Sequence, residues 1–201
     1  AAEPTRVGLV VGRLDDAKGL PAALTEALAE PMRDLEPFQK EEGFVLALDT
    51  SAPDHRLYAL GLGTMGAVYA LSELELRLRL HGNGLALAFP EWSDAGVSRV
   101  LVEKPAFSMR GEYMNVGYNT PQITPHEWSR ERWIRYIDQL VLAKLNRFEF
   151  YIWNDSYTMY PGSKLSEKPL NRKLHEDLRL VIDYAHSRGL KISYHICPTF
   201  F

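Results

Sequence analysis

The stretch KLNRFEFYIWNDSY, residues 144–157, decides how this chain is read. Strand alternation puts Glu149, Tyr151, Trp153 and Asp155 on one side, and Phe148, Phe150, Ile152 and Asn154 on the other. One side is apolar until its last residue. The other mixes carboxylates with aromatic rings, a combination that neither a water-facing strand nor an ordinary core strand carries.

The flanking sequence repeats the theme. Residues 107–116, FSMRGEYMNV, read as a strand with Arg110, Glu112 and Met114 on one face. Thr124, Pro125 and Glu127 then form a helix start, with threonine as cap and glutamate closing a capping box. The helix behind them has an apolar stripe of Trp133, Ile134, Ile137, Leu140 and Val141 and stops near Asn146. After the opening strand comes a second helix, with Leu174, Leu178, Val181, Ile182 and Ala185 as its stripe and Gly189 past its end. LKISYHICP is a third strand. Strand, helix, strand, helix, strand is the pattern of a parallel sheet built from right-handed crossovers. Each strand gathers polar or aromatic residues toward its C-terminal end: Arg110 and Glu112, then Trp153 and Asp155, then His195 and Cys197. In a β/α barrel that end is the mouth where ligands bind.

Before Pro105 the texture differs. RVGLVVG (6–12) has the continuous apolar profile of a strand buried on both faces. A helix with Pro21 in its first turn follows, its stripe Leu20, Leu24, Ala27 and Leu28, and Pro31 and Pro37 break or kink that segment. GFVLALD (43–49) and RLYALGLG (56–63) are two further strands. From Thr64, as cap, Met65, Val68, Leu71, Leu74 and Leu78 recur at helical spacing, but the tail LELRLRL alternates and reads equally as strand until HGNG ends it. GLALAFP and SRVLVEKP are strand-like. The expected fold class is α/β: a small α/β domain over residues 1–104, then over 105–201 the first three β/α units of a TIM-type barrel.

Composition narrows the function. The chain has 201 residues, 46% hydrophobic and 24% charged, as soluble globular proteins do. Its net charge is −3 with both signs interspersed, which argues against nucleic acid as partner. No run approaches the roughly 18 apolar residues of a membrane span. Cys197 is the single cysteine, so neither an internal disulfide nor a multi-cysteine metal site can form. The start, AAEPTR, lacks the features of a secretory signal. Small residues there suit the remnant of a cleaved leader, which would place the protein outside the cell or in the periplasm, and equally an arbitrary start.

The ordered set of Arg110-Gly111, IDQLVLAKLNRF, FEFYIWNDSY, YAHSRGL and KISYHICP resembles the opening of the catalytic barrel in hexosaminidase-type, family-twenty glycoside hydrolases. The first half, with GTMGAVYALSELELRL, is similar to the small α/β domain those enzymes carry ahead of the barrel. α-Glucuronidases and O-GlcNAc hydrolases share the layout. The resemblance implies a carbohydrate substrate, a pyranoside of N-acetylhexosaminide or uronide type, and no cofactor or metal. It implies that Arg110 bonds sugar hydroxyls and that Asp155 matches the second acid of the family's Thr-Asp-Asp-Gln turn. Tyr151, Trp153 and His195 complete the expected substrate contacts. The departures are specific: Tyr151 stands for a family histidine, Trp153 and Asn154 for Thr and Asp, and His195 and Cys197 stand where acids are common.

The family's catalytic Asp-Glu pair has no counterpart, since the chain contains no Asp-Glu dipeptide. A whole barrel takes about 250 residues, so three units would leave an open edge. The general acid is therefore expected beyond residue 201, in the rest of a longer glycosidase or with completion by other copies in a homo-oligomer. The other class of reading is a carbohydrate-binding or structural module without catalysis. Three narrower readings rank lower. Glu112 with Glu149 resembles a glycosidase carboxylate pair, but Glu149 lies below the mouth. His195 with Cys197 could form a nucleophilic dyad, against the plainer reading of a buried thiol and a hydrogen-bonded imidazole. His195 with Asp155 as a metal site lacks a third ligand.

Overall fold

The computed structural model describes residues 7–51, 55–81, 84–87, 93–95, 98–116, 128–152 and 169–196. Helices and strands are mixed, and the chain divides into two units, Ala1–Ser108 and Met109–Phe201, where the sequence placed the boundary at 104/105.

In the first unit, strands β1 (Val7–Arg13), β2 (Phe44–Asp49), β3 (His55–Gly61), β6 (Ser93–Ala95) and β7 (Ser98–Glu103) form one sheet in the order β1-β3-β2-β7-β6. Only β1 and β3 are parallel. Helix α1 (Ala22–Ala29) lays Leu24 and Leu28 against Val45, Ala47, Tyr58, Leu60 and Val100 on one face. Helix α3 (Thr64–Arg77) packs on β2 and β3, burying Tyr69, Ala70 and Leu74.

Several expectations change here. β1 is not buried on both faces: it closes one end of the sheet, and Val7, Leu9 and Val11 are 48%, 53% and 46% exposed. A run without alternation is ambiguous between a central and an edge position. Pro37 starts helix α2 (Pro37–Glu42) instead of breaking one, because the first helical position needs no N–H donor. Gly63, not Thr64, precedes the first turn of α3, and the Glu41 carboxylate accepts a hydrogen bond from the Met65 amide at 3.3 Å. Leu71 lies on the outer side of α3, 42% exposed. LELRLRL is both things: α3 runs to Arg77, then β4 (Leu78–His81) pairs antiparallel with β5 (Gly84–Leu87). The glycines around α3 serve close packing. A Cβ on Gly66 would lie 2.0 Å from the Gly43 carbonyl oxygen, and one on Gly61 would lie 1.9 Å from the Ala67 nitrogen.

The second unit holds β8 (Gly111–Val116), α4 (Arg130–Leu142), β9 (Arg147–Ile152), α5 (Pro169–Ser187) and β10 (Lys191–Ile196). The three strands are parallel and adjacent in chain order, with Gly111, Arg147 and Lys191 in one row and Val116, Ile152 and Ile196 in another. Ser129 caps α4, its hydroxyl accepting from the Arg132 amide. Thr124, Pro125 and Glu127 lie outside the described residues. Of the expected stripe on α4, Trp133, Ile137, Leu140 and Val141 are buried, whereas Ile134 is 39% exposed. Lys144 takes the left-handed position after the helix, with φ 59°, and the Leu145 amide donates to the Leu140 carbonyl. Gly189, φ 82°, does the same after α5.

α4 and α5 run side by side in the same direction. Arg130 Nε donates to Asp177 at 2.6 Å, and eight residues further along α4 Asp138 accepts from the Tyr184 hydroxyl at 2.8 Å, with Arg188 Nε 3.1 Å away. Both partners advance together along the two helices, as consecutive crossovers of one hand require.

Candidate functional site

Phe148 identifies the two faces of the parallel sheet. It is fully buried, its ring centroid 6.3 Å from Trp133 and 5.5 Å from Tyr136 of α4. Its face is therefore the helix-covered one. Partners side by side in a parallel sheet share a face, so Glu112 and Ile192, which pair with Phe148, belong to it too. The opposite face carries Gly111, Tyr113 and Asn115 of β8, Arg147, Glu149 and Tyr151 of β9, and Lys191, Ser193 and His195 of β10. On β8, Tyr113 of this face is 55% exposed, and Glu112 of the helix side is exposed as well.

This corrects the assignment of β8. Glu112 and Met114 fall on the helix side, and burial together with the Glu112 carboxylate raises the Tyr136 hydroxyl far above its ordinary range. Glu112 and Glu149 consequently lie on opposite faces and cannot act as a carboxylate pair across one bond.

Arg110 precedes β8, at the N-terminal end of the sheet. Its amide donates to the Asn146 Oδ1 at 2.9 Å, and its Nε donates to the Lys144 carbonyl at 3.0 Å. Its own carbonyl accepts from the Asn146 and Arg147 amides, while the Asn146 carbonyl accepts from the Lys191 amide. Asn146, 5% exposed, thus ties the starts of all three strands. Sequence reasoning missed this role; the only sign was an asparagine just before a strand, after a helix without a terminal glycine. The backbone of Arg110 is five residues from Asn115, about 16 Å along an extended strand. The structure therefore does not bring Arg110 together with the C-terminal row.

Of the other expected contacts, Tyr151 and His195 are register partners on the face opposite Phe148. Trp153, Asp155 and Cys197 lie outside the described residues. Among the described residues no group of three His, Cys, Asp or Glu could hold a metal ion, and no helix is long and apolar enough to cross a membrane.

What this arrangement offers chemically is a strip of hydrogen-bonding and aromatic residues on the face opposite Phe148, with Glu149 as the carboxylate among its described members. Cations stand at its lower end, in the row of Arg147 and Lys191. The chain matches no protein-family model, and no curated protein matches it closely enough to count as a relative.

Proposed function

We propose that the second unit is the opening part of a β/α barrel in a glycoside hydrolase of hexosaminidase type, with a pyranoside, an N-acetylhexosaminide or a uronide, as substrate. The observation that carries this reading is the register: in three parallel strands in chain order, Glu112 and Tyr194 apart, the side of Phe148 carries apolar residues and the other side carries polar and aromatic ones. A barrel interior needs such a division, and its mouth lies at the strand C-termini, where Tyr151 and His195 stand and beyond which Trp153 and Asp155 follow. Those four residues are assigned to the sugar; Arg110 is given a role in tying the strand starts together. The general acid would come from a strand beyond the edge of β10.

One observation favours a second reading, a carbohydrate-binding module without catalysis: Glu149 is the sole carboxylate among the described residues of the face opposite Phe148, and it sits in the third of six rows from the N-terminal end. Hydrolysis assays with chromogenic N-acetylglucosaminides and glucuronides test both. This chain is expected to bind such sugars without turning them over. Turnover by the chain would disprove the placement of the acid elsewhere, and absence of any sugar binding would remove the glycosidase reading.

A further inference from the structure

The sheet register singles out a residue that the sequence pattern passed over. Asn115 pairs with Tyr151, and Tyr151 pairs with His195, so the three form one row across β8, β9 and β10. Each is the fifth of six residues in its strand, next to the C-terminal end at which β/α sheets bind their ligands. The row lies on the face opposite Phe148, the face that also carries Tyr113. Adjacent strands are about 4.8 Å apart, so the row spans about 10 Å.

We infer that Asn115 is a ligand-contact residue, the contribution of β8 to a three-residue row with Tyr151 and His195. This rests on the sugar-binding reading above. A carboxamide offers two N–H donors and a carbonyl acceptor, and a sugar hydroxyl both donates and accepts, so one asparagine can serve two neighbouring hydroxyls. The row below, Tyr113, Glu149 and Ser193, supports it from the same face. Glu112, the β8 residue first expected to share this face, is on the other side and serves as the internal control.

The test is a two-dimensional ¹⁵N amide titration of the whole chain with N-acetylglucosamine and, separately, methyl glucuronide. For at least one sugar, the amides of Asn115, Tyr151 and His195 should shift together. Asn115→Leu should weaken binding about tenfold, the cost of roughly one hydrogen bond left unmade, while Glu112→Gln leaves it unchanged. Asn115→Asp, which keeps an acceptor and the shape, gives the second measurement should the leucine disturb the fold; it too should weaken binding. Shifts at Tyr151 and His195 with unchanged affinity in both Asn115 variants would overturn the inference and leave the sugar reading standing. No shift on this face with either sugar would overturn both.

Discussion

Replacing Phe148 by alanine, beside a Glu149→Gln control, probes the two-faced sheet directly. Phe148 is 0% exposed and touches the rings of both Trp133 and Tyr136. Truncating a buried phenylalanine costs about 3–5 kcal/mol, because the lost transfer energy is joined by a cavity that neighbours only partly fill. Each aromatic pair accounts for about 0.5–1.5 kcal/mol of that. With a urea dependence of roughly 1–2 kcal/mol per molar for a unit of this size, the midpoint should fall by about 1.5–5 M. Tryptophan fluorescence is the suitable signal, since Trp128, Trp133 and Trp153 belong to the second unit and only Trp92 to the first. Glu149→Gln, one residue along on the opposite face, should change stability by less than about 1 kcal/mol. A Phe148→Ala cost below about 1 kcal/mol, or equal costs at both positions, would refute the assignment of the helix-covered face.

Three further outcomes follow from local geometry. Gly66→Ala should destabilise the first unit by about 1–3 kcal/mol or more in thermal melts, since the new Cβ meets the Gly43 carbonyl oxygen at 2.0 Å. Lys144→Gly should stabilise the second unit by up to about 1 kcal/mol in urea unfolding, because it relieves a left-handed residue at φ 59°. Asp49 accepts hydrogen bonds from the hydroxyl and the amide of Ser51 at 2.6 and 2.9 Å, and the hydroxyl bond foremost holds its carboxyl below the ordinary value. A depressed folded-state pKa stabilises the protein above the unfolded value and is lost as pH falls through the folded one. Asp49→Asn should therefore flatten the acid limb of the stability curve below about pH 4 and leave its shape above pH 5 unchanged.

Alternating strands and helices after residue 107 were legible in the sequence because buried stripes at helical spacing leave an unmistakable period in Trp133, Ile137, Leu140, Val141 and in Val181, Ala185. The face of β8 was not. A shift of one residue exchanges the two faces of a strand, and RGEYMNV has no apolar alternation strong enough to choose between them. Only the pairing of Glu112 with Phe148 decides it, and that is a tertiary fact. For the same reason Arg110 attracted attention as a charged residue near a glycine, whereas its bonds to Asn146 and Lys144 become visible only when the α4–β9 turn is folded beside it. Edge position is likewise a property of the assembled sheet, so the apolar run of β1 could not announce its exposure. The proposed contact row at the sheet's C-terminal end was half legible: Tyr151 and His195 stand out as aromatic groups, but Asn115 joins them through register alone.

Three strands lying side by side in chain order, with one polar face turned away from the helices, underlie the proposed site. Paired cysteines with a short bismaleimide linker measure this in solution, in a Cys197→Ser background. Tyr113→Cys with Ser193→Cys places two thiols in one row, two strands and about 10 Å apart on the face opposite Phe148, and should cross-link in high yield. Glu112→Cys with Ser193→Cys puts them on opposite faces and should cross-link poorly. The reverse preference, or equal yields, would contradict the account.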